Sequence, residues 1–202
     1  TVTLFASDNG ASAEIINRGD KHATNAVPGS AASYLCLGPG WSSAANTPFR
    51  LHKSWTHEGG IATPLIVHWP AGIAARGTLR HTPAHLVDIV PTLLELAGAR
   101  SILPASAPPL PGRSLVPAFA AEVTVARDPL YFHHDHNRAL RIGDWKIVTR
   151  RPATNEWALY HLATDRAEQS DLAGREPERT RSMAAEWERL TAQFAKDAET
   201  SP

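Results

Sequence analysis

Cysteine is nearly absent from this sequence, which has only Cys36 among its 202 residues. A single thiol cannot form a disulfide within the chain, and it cannot supply the several thiolates of a cysteine-based zinc site. The composition therefore excludes a disulfide framework, and it favours Cys36 as a small apolar residue buried in the fold.

An excess of charge is also absent, since twenty Lys and Arg residues balance twenty Asp and Glu residues. Because no overall field attracts nucleic acid or an anionic membrane, we expect no nucleic-acid partner. A site for an anion would have to be built locally.

Long apolar runs are missing as well. The stretch 61–69 is short and is interrupted by Pro64 and His68, so we expect no membrane span. We expect a soluble protein of the bacterial cytoplasm or periplasm, and the compartment stays open. The chain opens without Met or a charged leader, which predicts an interior cut in a longer protein.

The remaining composition, 43% apolar and 20% charged, is that of a globular chain with one domain or two small ones.

The apolar run 1–6 ends in the polar turn 7–10. This pattern predicts a buried parallel strand that delivers polar side chains at its carboxyl end, where α/β sheets bind ligands. We expect a long loop with one short helix over 11–46 and a second core strand over 61–69.

A packed helix is predicted over 88–98, with Asp88 as its cap. Its expected apolar face consists of Ile89, Leu93, Leu96 and Ala97. The proline-rich stretch 101–117 then predicts a linker and a subdomain boundary.

The sequence changes character beyond this stretch. Short aromatic and β-branched segments predict a small antiparallel sheet, with Gly143-Asp144 as a hairpin turn. These segments are 130–132, 138–142, 145–149 and 157–162. A terminal helix opening at 176–178 follows. Its predicted apolar stripe against the sheet consists of Met183, Trp187, Leu190 and Phe194.

Two residues that follow the first predicted strand have side chains that could bind a metal ion. Asp8 and Asn9 supply a carboxylate and an amide oxygen, the hard ligands that Ca²⁺ or Mg²⁺ prefers, although Asp-Asn-Gly is also ordinary turn chemistry. Lys53 lies just before a predicted core strand, where its ammonium can reach a tetrahedral anion or remain a solvated surface charge.

The run His133-His134-Asp135-His136 is a further candidate. Imidazoles and a carboxylate can bind a transition metal, and on a strand only His134 and His136 would share a face. Contact with substrate and a purely structural role are the alternatives.

Taken together, the motifs of the chain resemble those of the sulfatase family in order and approximate spacing. They are Ser7 to Gly10, Pro48 to Lys53, Glu58 to Ile61 with Pro64, 88–94, 112–115, 137–141, 145–146, 159–165, Glu168 and 171–173. The stretch 34–41 is especially similar to bacterial arylsulfatases. The resemblance covers nearly the whole chain.

This resemblance implies an α/β fold: the C-terminal part of an alkaline-phosphatase-like doubly wound sheet over 1–117, then a small antiparallel sheet packed on a C-terminal helix over 118–202. It implies hydrolysis of a sulfate ester, either a small molecule or a glycan. Asp8 and Asn9 would be ligands of Ca²⁺ (or Mg²⁺), and Lys53 would donate to the sulfate group. Three further residues are expected at the substrate rim. They are Arg50, His57 and His134.

The sequence departs from the family in lacking its Cys/Ser-x-Pro-x-Arg motif, from which the formylglycine nucleophile is made. Cys36 has no arginine at the required offset, so formylglycine is not in this chain and the chain alone is expected to be inactive. We expect it to pack against an N-terminal sulfatase part or a second copy of itself. The alternative functions are phosphonate or phosphate ester hydrolysis and a non-catalytic binding module.

Overall fold

The computed structural model describes residues 1–15, 23, 25–33, 36–99, 104, 107, 109–149 and 156–200. Tyr34 and Leu35, along with residues 101–103, 105–106 and 108 of the proline-rich stretch, lie outside the described residues. The chain separates into two compact units. Unit 1 comprises Thr1–Phe5 and Leu65–Asp128, and unit 2 comprises Ala6–Pro64 and Pro129–Pro202.

Unit 1 carries most of a two-stranded sheet of β1 (Thr3–Ala6) and β2 (Leu65–His68). The prediction that β1 is buried is wrong, because its residues alternate between exposed and half-buried and Phe5 is 65% exposed. The predicted second strand begins only at Leu65. Residues from Glu58 to Ile61 instead form a helical turn, in which the Ala62 N–H donates to the Glu58 carbonyl at 2.8 Å.

A 3₁₀ turn (Leu86–Asp88) leads into the predicted helix, which spans Ile89–Leu96. The Asp88 carboxylate is fully buried, and it accepts the His85 N–H at 2.8 Å as part of a capping box for the 3₁₀ turn. Asp88 therefore does not cap the following helix through its side chain, as the sequence predicts.

The predicted packed face of this helix is also wrong. Leu93 is 43% exposed, while Pro91 and Thr92 are buried. Hydrogen bonds explain why Thr92 is buried. Its Oγ1 donates to the Asp88 carbonyl at 2.6 Å and accepts the Leu115 N–H at 2.9 Å. These bonds bring the Thr92 side of the helix, and not its apolar stripe, against residues 112–115.

Unit 2 contains the predicted antiparallel sheet, which is confirmed. Its strands lie in the order β3-β4-β5-β6. They span Leu130–His134, Asn137–Ile142, Trp145–Thr149 and Trp157–His161. Ile142 pairs with Trp145 across the Gly143-Asp144 hairpin, where Gly143 has a φ of 58°.

The helices are numbered in chain order as α1 to α5. They span Gly38–Asn46, Glu58–Ile61, Ile89–Leu96, Val116–Ala120 and Pro177–Thr200. The nine-residue α1 confirms the short helix expected in the first loop. No helix in the described part of the chain is long and apolar enough to cross a membrane.

The sheet of unit 2 is covered on both faces. One face packs Leu140, Ile147 and Leu159 on Met183 and Trp187 of α5, so the predicted stripe is confirmed there. The opposite face forms a second apolar cluster. Its buried members are Ala139, Val148, Ala158, Tyr160 and Leu162. At the end of the stripe, Phe194 contacts the Tyr131 ring edgewise and stays 49% exposed.

Candidate functional site

The Asp8-Asn9 turn follows β1 directly and is anchored through its backbone. Ser7 Oγ donates to the Asn9 carbonyl at 3.1 Å, and Thr63 Oγ1 donates to the Ser7 carbonyl at 3.0 Å. Asp8 is exposed and Asn9 is half-buried. The turn is therefore fixed while both side chains keep access to solvent.

Backbone hydrogen bonds join this turn to the segment that carries Lys53. The Gly10 N–H donates to the Gly60 carbonyl at 2.9 Å, and the Lys53 N–H donates to the Ala11 carbonyl at 3.0 Å. A side chain at Gly10 would collide with the Gly59 carbonyl, so only glycine permits this approach. The structure thus brings together the segments of the predicted metal ligands and of Lys53.

Asn46, the last residue of α1, reinforces this junction. Its Oδ1 accepts the Ala11 N–H at 2.9 Å, and its Nδ2 donates to the Leu51 carbonyl at 3.0 Å. Leu51 and Ser54 have φ angles of 65° and 80°, in the left-handed region that non-glycine residues seldom adopt. The backbone around Lys53 is therefore held in an unusual shape by specific bonds.

The Lys53 side chain is partly exposed. Its Nζ lies 3.9 Å from Glu14 Oε1, and both side chains remain accessible to water. A pair of this kind contributes little to stability, so the ammonium is free to leave Glu14 for another anion.

His57 is 2% exposed, whereas Arg50 lies at the surface. Burial, followed by the positive charges of Lys146 and Arg50, lowers the pKa of His57 to about 3, although Glu58 opposes the shift. The imidazole is therefore neutral at physiological pH. The rim roles of Arg50 and His57 stay predictions.

Sequence reasoning missed a group of charged residues that we call the buried ion cluster: Glu58, Lys146, Arg166 and Glu168. Lys146 Nζ donates to Glu58 Oε1 at 2.9 Å and lies 2.9 Å from Glu168 Oε1, in an ion contact without hydrogen-bond alignment. Arg166 Nη2 donates to Glu58 Oε2 at 2.9 Å. Lys146 and Glu168 are fully buried, and Arg166 is half-exposed.

The two carboxylates of this cluster have opposite pKa shifts. Burial alone would raise the pKa of Glu58, but Lys146 and Arg166 outweigh burial and hold it below its usual value. Burial raises the pKa of Glu168 in spite of Lys146. Glu58 differs because two cations hold its two oxygens.

The sequence offered only a weak signal for this cluster. Lys146 stands in the strand run Trp145-Lys146-Ile147-Val148, where a lysine is normally the solvent-facing residue of the alternation. Its burial depends on Glu58 and Glu168, which are distant along the chain. Only the fold brings these charges together.

The histidine run lies in a hairpin and not along one strand. β3 ends at His134, which pairs with Asn137, and Asp135 has a φ of 52° in the turn. The expectation that His134 and His136 share a strand face is therefore wrong. His134 Nδ1 lies 3.3 Å from Asp135 Oδ2 in an exposed pair, and its substrate-rim role stays a prediction.

Cys36 is exposed, so the prediction of a buried thiol is also wrong. Within the described ranges, no group of three or more His, Cys, Asp or Glu side chains is arranged to hold a metal ion. Asp8 and Asn9 are therefore at most a partial ligand set.

Comparison with known proteins places these features in a family. The family model described as N-sulphoglucosamine sulphohydrolase, C-terminal, matches residues 49–196. The match includes Lys53 and the buried ion cluster, whereas the Asp8-Asn9 turn precedes it.

Two curated relatives are sulfatases by name. An uncharacterized sulfatase of Schizosaccharomyces pombe is 28% identical over 211 residues, covering 93% of this chain and 37% of the relative. The N-acetylgalactosamine-6-sulfatase of Mus musculus is 30% identical over 130 residues, covering 64% of this chain and 24% of the relative. The chain thus spans well under half the length of these relatives.

The fold agrees with this placement. The crystal structure of the PsFucS1 sulfatase from Pseudoalteromonas sp. matches 96% of this chain and 37% of its own, with a TM-score of 0.64 and 20% identity. The predicted fold class, the C-terminal part of an alkaline-phosphatase-like sulfatase, is confirmed. The chain belongs to the sulfatase family and corresponds to the C-terminal portion of a sulfatase.

Proposed function

We propose that the full protein hydrolyses sulfate esters, at a site to which this chain contributes Asp8, Asn9 and Lys53. The observation that carries the proposal is the pair of backbone bonds from Gly10 to Gly60 and from Lys53 to Ala11. These bonds join the Asp8-Asn9 turn to the segment that carries the partly exposed Lys53 ammonium. This combination of groups suits an anionic ester.

The donor chemistry of the turn fits a hard divalent cation. Asp8 and Asn9 present oxygen ligands, and no described residue engages either side chain in a hydrogen bond or an ion pair. Ca²⁺ takes six to eight oxygen ligands, so further ligands must come from elsewhere in the full protein. A bound cation would supply charge stabilisation at the sulfuryl oxygens.

Lys53 contributes a movable positive charge. Because its pair with Glu14 is long and solvated, the ammonium can move to a sulfate oxygen as negative charge develops there. The nucleophile, which we propose to be a formylglycine, lies outside these 202 residues. The chain alone would therefore be inactive.

An arylsulfatase-type activity is the specific form of the proposal. The alternative is a sulfated sugar, which is the substrate class named for the N-acetylgalactosamine-6-sulfatase of Mus musculus. Assay of the full-length protein on an aryl sulfate, a 6-sulfated amino sugar and an aryl phosphate would separate these substrates. Hydrolysis of the phosphate alone would favour a phosphoesterase.

Lys53→Ala in the full-length protein tests the sulfate role. Loss of one charged donor to the transition state should lower kcat/KM about 100-fold, with unchanged thermal unfolding. Lys196→Ala, at an exposed position near the end of α5, is the control variant and should retain activity. A Lys53→Ala variant within twofold of the parent enzyme would show that Lys53 has no role at the sulfate.

A further inference from the structure

Glu168 holds the Lys53 segment at two points. Its Oε2 accepts the backbone N–H of Glu58 at 2.9 Å, and its own carbonyl accepts from Arg50 Nη1 at 3.3 Å. Glu168 adopts a left-handed φ of 55°, which a non-glycine residue keeps only when its surroundings impose it. Both ends of the segment 50–60 are therefore attached to one buried residue.

Lys146 holds the same segment from β5. It reaches the side chain of Glu58, the residue whose backbone Glu168 binds, so Glu58 is fixed through main chain and side chain alike. Glu58 opens α2, and Gly60 of α2 accepts the Gly10 N–H at 2.9 Å. A continuous chain of bonds thus runs from the sheet of unit 2 to the Asp8-Asn9 turn.

Stability alone gives a weak reason for such a cluster. Buried ion pairs lose much of their attraction to desolvation, and apolar residues of similar volume often replace them without loss of stability. In some proteins buried charged groups instead fix one arrangement of the segments that they join. The bonds of this cluster to the segment 50–60 point to such a positioning role.

We propose that Lys146 and Glu168 are positioning residues, which hold α2 so that Asp8, Asn9 and Lys53 keep their mutual geometry. The inference rests on the proposed sulfatase function. Neither residue needs to touch substrate or metal. Their effect reaches the site through Glu58 and the carbonyl of Gly60.

Two variants of the full-length enzyme separate positioning from stability. Lys146→Met leaves two buried carboxylates with less compensating charge, so it should lower both the melting temperature and the activity. The charge-balanced pair Lys146→Met/Glu168→Gln removes one charge of each sign and should recover most of the melting temperature. If the cluster positions the site, calcium affinity and kcat should stay at least tenfold below the parent enzyme in this pair.

The measurements are calcium titration by calorimetry, steady-state kinetics and thermal unfolding, with Glu186→Gln on the surface of α5 as a charge-removal control. Recovery of calcium affinity and kcat to within twofold in the charge-balanced pair would overturn the positioning role and leave the sulfatase proposal intact. A parent enzyme that neither binds calcium nor cleaves a sulfate ester would overturn both. Glu58→Gln, which has nearly the same volume, gives the same test where the Lys146 variants do not fold.

Discussion

His57 shows how the surroundings of a single residue set the pKa of its side chain. It follows Lys53 by four positions, and an exposed histidine there would titrate near neutral pH. Burial beside Lys146 and Arg50 instead lowers its pKa to about 3. Any rate change of the full enzyme between pH 6 and 7 therefore has to arise from another group.

Proton titration of His57 can be followed by NMR in labelled protein, with His57→Gln to assign the signal. The ring shifts should stay constant from pH 8 to pH 5, because the native imidazole remains neutral throughout this range. A midpoint between pH 5.5 and 7 would contradict the burial that the structure describes.

The same depressed pKa links His57 to stability. The unfolded state binds a proton near pH 6.5 and the folded state does not, so stability falls as the pH drops below 6.5. Between pH 6.5 and pH 5 the loss should be about 2 kcal/mol from this residue. Urea unfolding at pH 7 and pH 5 should show a smaller loss for His57→Gln than for the parent protein.

At the scale of elements, α5 and the sheet of unit 2 form the best-packed part of the described chain. Trp187 is 3% exposed, stacks on Tyr131 at 5.2 Å and donates its indole N–H to the Phe132 carbonyl at 3.3 Å. The helix is therefore fixed to β3 by apolar area and by one directed bond.

Trp187→Ala should destabilise this packing by about 3–5 kcal/mol, because it removes a large buried side chain and leaves a cavity. Phe194→Ala, on the same stripe but 49% exposed, should cost about 1 kcal/mol or less. Urea unfolding of both variants checks the contrast. Equal losses would mean that the end of the helix packs as tightly as its middle.

The sequence predicts these elements well because their signals are local. Periodicity places Met183 and Trp187 on one face, and the glycine at 143 marks a turn between two strand-like runs. The packing of α3 and the burial of Lys146 cannot be predicted in this way. Both depend on polar partners far along the chain, such as Leu115 for Thr92 and Glu58 for Lys146.

The candidate site likewise contains residues that the sequence predicts and residues that it does not. Short motifs predict Asp8, Asn9 and Lys53 as site residues; the structure joins their segments, and their roles stay predictions. The residues that hold those segments, Glu58 and Glu168, received no role from the sequence. A buried carboxylate has no local pattern that distinguishes it from a solvated one.

At the scale of the whole molecule, the buried apolar side chains are divided unequally between the two units. Among the described residues, ten of the twelve buried hydrophobic side chains belong to unit 2, and unit 1 has only Leu115 and Ala118. In the described part of the chain each unit exposes six large hydrophobic side chains, so unit 1 exposes as many as unit 2 while it buries far fewer. Those of unit 1 are Phe5, Ile66, Leu79, Leu86, Val90 and Leu93. So small a core favours a covering partner, and we propose that this is a further part of the full protein or a second copy.

Hydrogen exchange measured by mass spectrometry can test this proposal on the 202-residue chain and on the full-length protein. Local stability follows buried apolar contact, so peptides from Leu65–Asp128 should exchange at least tenfold faster in the isolated chain than in the full protein. Peptides from β4 to β6 should differ less than threefold, because both faces of that sheet are already covered within unit 2. Equal protection of Leu65–Asp128 in the two samples, with a monomeric isolated chain by light scattering, would show that unit 1 needs no partner. Protection that rises with the concentration of the isolated chain would identify the partner as a second copy.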